Sequence, residues 1–79
     1  MPYIKQQRRT EIDMGNSPQN PGELTYELYK KVLKYLPGEP HYEDFNEVMG
    51  ALENTKQEFY RRKVAPYEKQ KIKENGDIF

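Results

Sequence analysis

The chain has no cysteine, no tryptophan, one histidine and one serine among its 79 residues. Without cysteine there are no disulfide staples and no thiolate chemistry, whether metal, redox or nucleophilic. Ser17 and His41 are too few for a Ser-His-Asp set within one chain, and His41 stands in a proline-bounded turn, where an exposed loop role is expected rather than a general base. Neither a Gly-rich phosphate loop nor a His-Glu-x-x-His pair is present. Apolar residues are also scarce, at 34% against roughly 45–50%, glycine included, in ordinary globular domains. No segment approaches membrane-spanning length, and the opening MPYIKQQRR carries charge where a signal peptide needs an apolar core. Net charge is missing as well. Thirteen cations balance thirteen anions, so no long-range field favours bulk nucleic acid or an anionic membrane. The expectation is a cytoplasmic, non-enzymatic protein that needs no cofactor.

What is present is tyrosine and charge. Seven Tyr and three Phe supply most of the large apolar area in a chain that is otherwise close to disordered in composition. A chain this short buries a modest core and makes one small domain at most. Residues 1–21 read as an arm, because only Met1, Tyr3, Ile4, Ile12 and Met14 are apolar and residues 14–22 are dense in turn formers. The arm is either a flexible tail or an extended strap that lays Tyr3 and Ile4 on the helical body or on a neighbouring subunit.

Residues 22–79 read as a helical domain. Asn20 is a good N-cap, Pro21 suits the first helical position and Glu23 completes an approximate capping box. Helical periodicity runs from Leu24 to Leu36, where Pro37-Gly38 stops it. Leu24, Leu28, Val32, Tyr35 and Leu36 form its core stripe, which Tyr26, Tyr29 and Leu33 widen to nearly twice the usual arc of about 100°. One partner helix cannot cover that surface, so a homo-oligomer is expected. The short turn at 37–41 predicts a second helix folded back antiparallel to the first. It begins near Tyr42 or Glu43 and carries Phe45, Val48, Met49, Leu52 and Phe59 inward. Pro66 should push Ala65 away from helical angles, giving either one kinked helix or a third helix over 66–75 with an Asn75-Gly76 end. The fold class is therefore all-α: a helical hairpin with a kinked or broken C-terminal helix and an extended N-terminal arm.

The candidate site is the basic-aromatic run near the C-terminus. Arg61 and Arg62 offer flat forks that grip phosphate oxygens in pairs. Tyr60 and Tyr67 offer faces for stacking bases. Tyr26 from the first helix, and Arg8 and Arg9 if the arm folds back, would complete a clamp between subunits. The alternative is that the tyrosines fill the core and the cations form a solvated face.

Several stretches carry a resemblance: the opening Met-Pro-Tyr-Ile with Arg8-Arg9, the central Phe45-Asn-Glu-Val-Met-Gly-Ala-Leu-Glu53, and the closing Phe59-Tyr-Arg-Arg62, Ala65-Pro-Tyr-Glu68 and Glu74-Asn-Gly-Asp77. Together they resemble a family of short phage, bacterial and archaeal proteins known only as a domain of unknown function. The resemblance spans nearly the whole chain except residues 14–21. It implies a compact helical protein of viral or prokaryotic origin and supplies no catalytic residues. Thr25 stands where the family's pattern leads one to expect asparagine.

Two functions follow as expectations. The first is a non-enzymatic binder that sequesters an anionic nucleotide-type ligand, such as a cyclic oligonucleotide, at a subunit interface. In a phage that would be an anti-defence sponge acting in the host cytoplasm. The second is an oligomeric adaptor or inhibitor that docks on a host or phage protein through exposed Tyr, Phe, Met and Arg. Nucleic-acid binding ranks third because the net charge is zero.

Overall fold

The computed structural model describes residues 3–78, and every regular element among them is helical. The helices are α1 (Gln6–Asp13), α2 (Pro21–Tyr35), α3 (Tyr42–Phe59) and α4 (Ala65–Asn75), with a π-helical turn, Tyr60–Val64, joining the last two. The chain divides into two compact units, residues 1–40 and 41–79.

The first unit overturns the picture of an extended arm. Residues 6–13 form a helix despite their low apolar content, because Arg8 and Ile12, one turn apart, share the face that packs on α2; Ile4 joins them from the segment ahead of the helix. Ile4 and Ile12 are buried with Tyr26 and make the core of this unit. Tyr3 lies over Gly22, so closely that a Cβ on that glycine would sit 3.1 Å from the ring. Gly15, at φ +106°, turns the chain out of α1 at an angle that suits glycine alone.

Helix α2 starts as its residues dictate. The Asn20 side chain accepts a hydrogen bond of 2.9 Å from the backbone N–H of Glu23, and Pro21 occupies the first position. Leu36 takes extended angles ahead of Pro37. The side of α2 that faces inward differs from the expected stripe. Glu23 and Tyr26 are its buried residues, whereas Leu24, Leu28, Tyr29 and Leu33 stay about half exposed. The cause is polar: α1 docks through an arginine, so it selects the side of α2 that carries the matching carboxylate.

The second unit is helical from Tyr42 to Asn75. Its start is fixed by the backbone N–H of His41 donating to Asp44 at 2.8 Å. Of the two readings of Pro66, the bent helix is the one observed. Ala65 keeps helical angles (φ −60°, ψ −44°) instead of being driven out of them. The strain is absorbed by the π turn, in which the Ala65 N–H donates to the Tyr60 carbonyl five residues back. Gly76, at φ +81°, closes α4, and its N–H donates to the Ile72 carbonyl at 2.8 Å. Among the described residues of this unit none is buried.

Candidate functional site

The seven residues singled out by sequence divide between the two units. Arg8, Arg9 and Tyr26 belong to the first, and Tyr60, Arg61, Arg62 and Tyr67 to the second.

In the first unit Arg8 and Glu23 form a two-pronged pair, with Nε donating to Oε2 at 3.0 Å and Nη2 to Oε1 at 2.5 Å. Arg8 also donates to Glu11 at 2.8 Å and to the Ser17 carbonyl at 3.2 Å. Glu23 accepts further bonds from the Gln19 N–H at 2.9 Å and from Asn20 Nδ2 at 3.4 Å. The Arg8 guanidinium, helped by the Gln19 N–H, holds the Glu23 carboxyl down at about 2. This one carboxylate therefore joins α1, the 14–20 loop and the start of α2. Arg8 is committed to architecture and has little left for a ligand. The Tyr26 hydroxyl donates to both oxygens of Asp13, at 3.0 Å each. Burial, reinforced by Asp13, raises that phenol above its ordinary range. Tyr26 is therefore a core residue. Arg9 Nε is buried and finds no hydrogen-bond partner among the described residues.

Beside this core lies a half-open hollow of about 450 Å³, floored by Ile12 and Leu28 and edged by Asp13, Lys30, Lys31 and Lys34. Lys30 reaches Asp13 at 3.8 Å and stands 5.8 Å from the Tyr26 ring centroid. Sequence reasoning passed over these lysines. The available signal is Lys30 and Lys34, one turn apart on α2.

In the second unit Arg61 and Arg62 share a single carboxylate. Arg61 donates to Glu58 Oε2 at 2.6 Å and Arg62 to Oε1. Both guanidiniums, Arg61 first, keep Glu58 below its ordinary carboxylate range. Two cations on one anion leave a net positive charge, and each fork keeps most of its N–H donors. Both arginine side chains are more than two thirds open to solvent, at 67% and 76%. With Thr55, Phe59 and Lys63 they edge an open groove along the helix, and neither Tyr60 nor Tyr67 lines it. Glu68 instead raises the Tyr60 phenol above its ordinary range, and Tyr67 lies under Lys71 Nζ at 5.5 Å. Within one chain, then, the arginine pair and the tyrosine faces are not brought into one pocket. Among the described residues no group of three or more His, Cys, Asp or Glu is placed to hold a metal ion, and no helix is long and apolar enough to cross a membrane.

A family model described as a domain of unknown function (DUF6899) matches residues 1–78. No curated protein and no solved structure matches the chain.

Proposed function

We propose, for a chain that belongs to this family of unknown function, a non-enzymatic role: uptake of a phosphate-bearing ligand by the Arg61–Arg62 pair, between copies of the protein. The supporting observation is that pair's anchorage on one exposed carboxylate. Exposed ion pairs are worth only about 0–1 kcal/mol, so a phosphate that offers several acceptor oxygens competes with Glu58 at little cost. The Arg8–Glu23 pair, enclosed and tied by four further hydrogen bonds, offers no such exchange. Because Tyr60 and Tyr67 lie outside the arginine groove, base stacking has to come from a second copy, which is why the ligand sits at a subunit interface. In a phage-encoded protein the corresponding role is sequestration of a host's nucleotide signal.

Calorimetry against cyclic di- and trinucleotides tests this reading. Binding tighter than roughly 10 µM is expected, weakened at least tenfold by Arg61→Ala or Arg62→Ala and unchanged by Lys34→Ala. A flat titration across the panel removes the reading.

A second reading has its own support. Leu24, Leu28, Tyr29 and Leu33 leave a half-exposed apolar face on α2, suited to docking on a host or phage protein. A stoichiometric complex recovered from host lysate, and lost on Leu28→Lys, is the outcome it requires.

A further inference from the structure

The second unit presents a physical contradiction. Thirty-four residues, 42–75, are continuously helical, yet not one of them is buried. Helices in water draw most of their stability from packing an apolar face. Phe45, Met49, Leu52, Phe59 and Tyr67 are each between 43% and 68% exposed, so this face has been built and left uncovered.

The π turn shows that the face is one continuous surface. In an unbroken α-helix Val64 would stand about 140° round from Phe59, and Tyr67 about 80°. The extra residue of a π turn sets the phase back by about 100°. That brings Val64 to about 40° and Tyr67 to about 20° from Phe59. Phe45, Val48, Met49, Leu52, Phe59, Val64 and Tyr67 then share an arc of about 100°, wide enough for one long helical contact.

Charge selects the occupant. Residues 42–58 hold five carboxylates and one lysine, a net of −4, while residues 59–75 hold six cations and two carboxylates, a net of +4. The halves are equal in length and opposite in sign. A second copy laid parallel would set like against like. Laid antiparallel, it sets each acidic half on a basic half, and the two helix dipoles oppose as well. The five large exposed side chains of this face, Phe45, Met49, Leu52, Phe59 and Tyr67, at roughly 100 Å² each, offer about 500 Å² per copy. The charged residues flanking them add to it toward the roughly 800 Å² per partner of a standard stable interface.

We infer that residues 42–75 pair antiparallel with the same segment of a second copy, about a two-fold axis near Phe59. The pairing does not depend on the phosphate reading and would stand if every ligand titration were flat.

The full-length protein tests it. Sedimentation at tens of micromolar should give a dimer or a multiple of it, and Leu52→Glu should shift the population to monomer. Because that variant could lose its helix, a second pair is needed. Glu43→Lys with Glu47→Lys brings the acidic half from −4 to 0 and leaves one chain charged only at its basic half. Lys69→Glu with Lys73→Glu brings the basic half from +4 to 0 and leaves another charged only at its acidic half. Each should self-associate at least tenfold more weakly than the parent, and an equimolar mixture should recover association. Orientation is read separately from Asn46→Cys carrying a spin label, in a chain with no other cysteine. At 1.5 Å per residue the two labels should lie about 35–40 Å apart. A folded monomer at these concentrations, or a label separation near 10–15 Å, overturns the inference.

Discussion

Glu23 is the residue that converts an unpromising N-terminal segment into structure. A carboxylate that accepts from Arg8, Gln19 and Asn20 ties three stretches of chain that have few apolar side chains to hold them. Sequence showed Glu23 only as a capping residue, and Arg8 only as a possible ligand contact. Their pairing spans fifteen residues, and no local rule reports a contact of that separation. The signal that is legible, Arg8 and Ile12 one turn apart on one helical face, is short and half of it is a charge. Two predictions belong at this scale. Ile12→Ala, in a core of three buried apolar side chains, should destabilise the first unit by about 2–4 kcal/mol, measured by urea unfolding with tyrosine fluorescence. Gly50→Ala should do the reverse. A Cβ there meets nothing within 4 Å, and the position lies about 140° from Phe45, off the apolar arc. Removing the mid-helix glycine should raise helix stability by about 1 kcal/mol, visible as a higher melting midpoint by circular dichroism. A loss of stability would mean that another backbone approaches Gly50 in the assembled protein.

At the scale of the element, ends were easier to read than faces. The start of α2 follows from Asn20, Pro21 and Glu23, and the observed cap bond agrees; replacing Asn20 with alanine should cost about 1 kcal/mol by denaturant titration. Its inward face was misread because hydrophobic periodicity assumes that a helix buries its most apolar side. Here α1 docks through Arg8, so the Glu23–Tyr26 side is covered and the leucines are left about half exposed. Pro66 was read correctly as a disturbance, but the form of the disturbance was out of reach. Periodicity templates contain 3.6-residue turns and breaks, not a single 4.4-residue turn that keeps the chain helical while rotating everything after it. The same turn explains how a proline can follow Arg61 and Arg62 without dispersing the apolar face. Pro66→Ala restores the missing N–H donor and allows an ordinary α-helix, which would carry Val64 off the arc and shift Tyr67 to its edge. Association through this segment should therefore weaken, roughly tenfold, even though alanine is the better helix former. Sedimentation and circular dichroism recorded together would show helicity maintained while association falls.

At the scale of the whole molecule, the two units are held by different physics, and acid should separate them. The all-helical class was legible; the division of labour was not, because it depends on which charges are enclosed and which face water. The pairing proposed for the second unit relies on the negative charge of residues 42–58, which acid would remove. With those carboxylates protonated, both halves of helix 42–75 are basic and two copies would repel. The first unit behaves differently. Glu23 ionises at about 2 in the folded chain against an ordinary 4.5, so its folded value lies below its unfolded one. The stabilisation it contributes is complete above pH 4.5 and is lost progressively as pH falls from there toward 2. Acidification should both dissociate the assembly and loosen α1 from α2, as two separable events. Sedimentation would follow the first event, and the Ile4 and Ile12 methyl resonances would follow the second. Glu23→Gln removes the low-lying carboxylate, so it should abolish the pH dependence of the second transition between 4.5 and 2 while leaving the first in place. Coincident loss of assembly and of the Ile12 environment, in the parent and in this variant alike, would show that the units do not titrate independently.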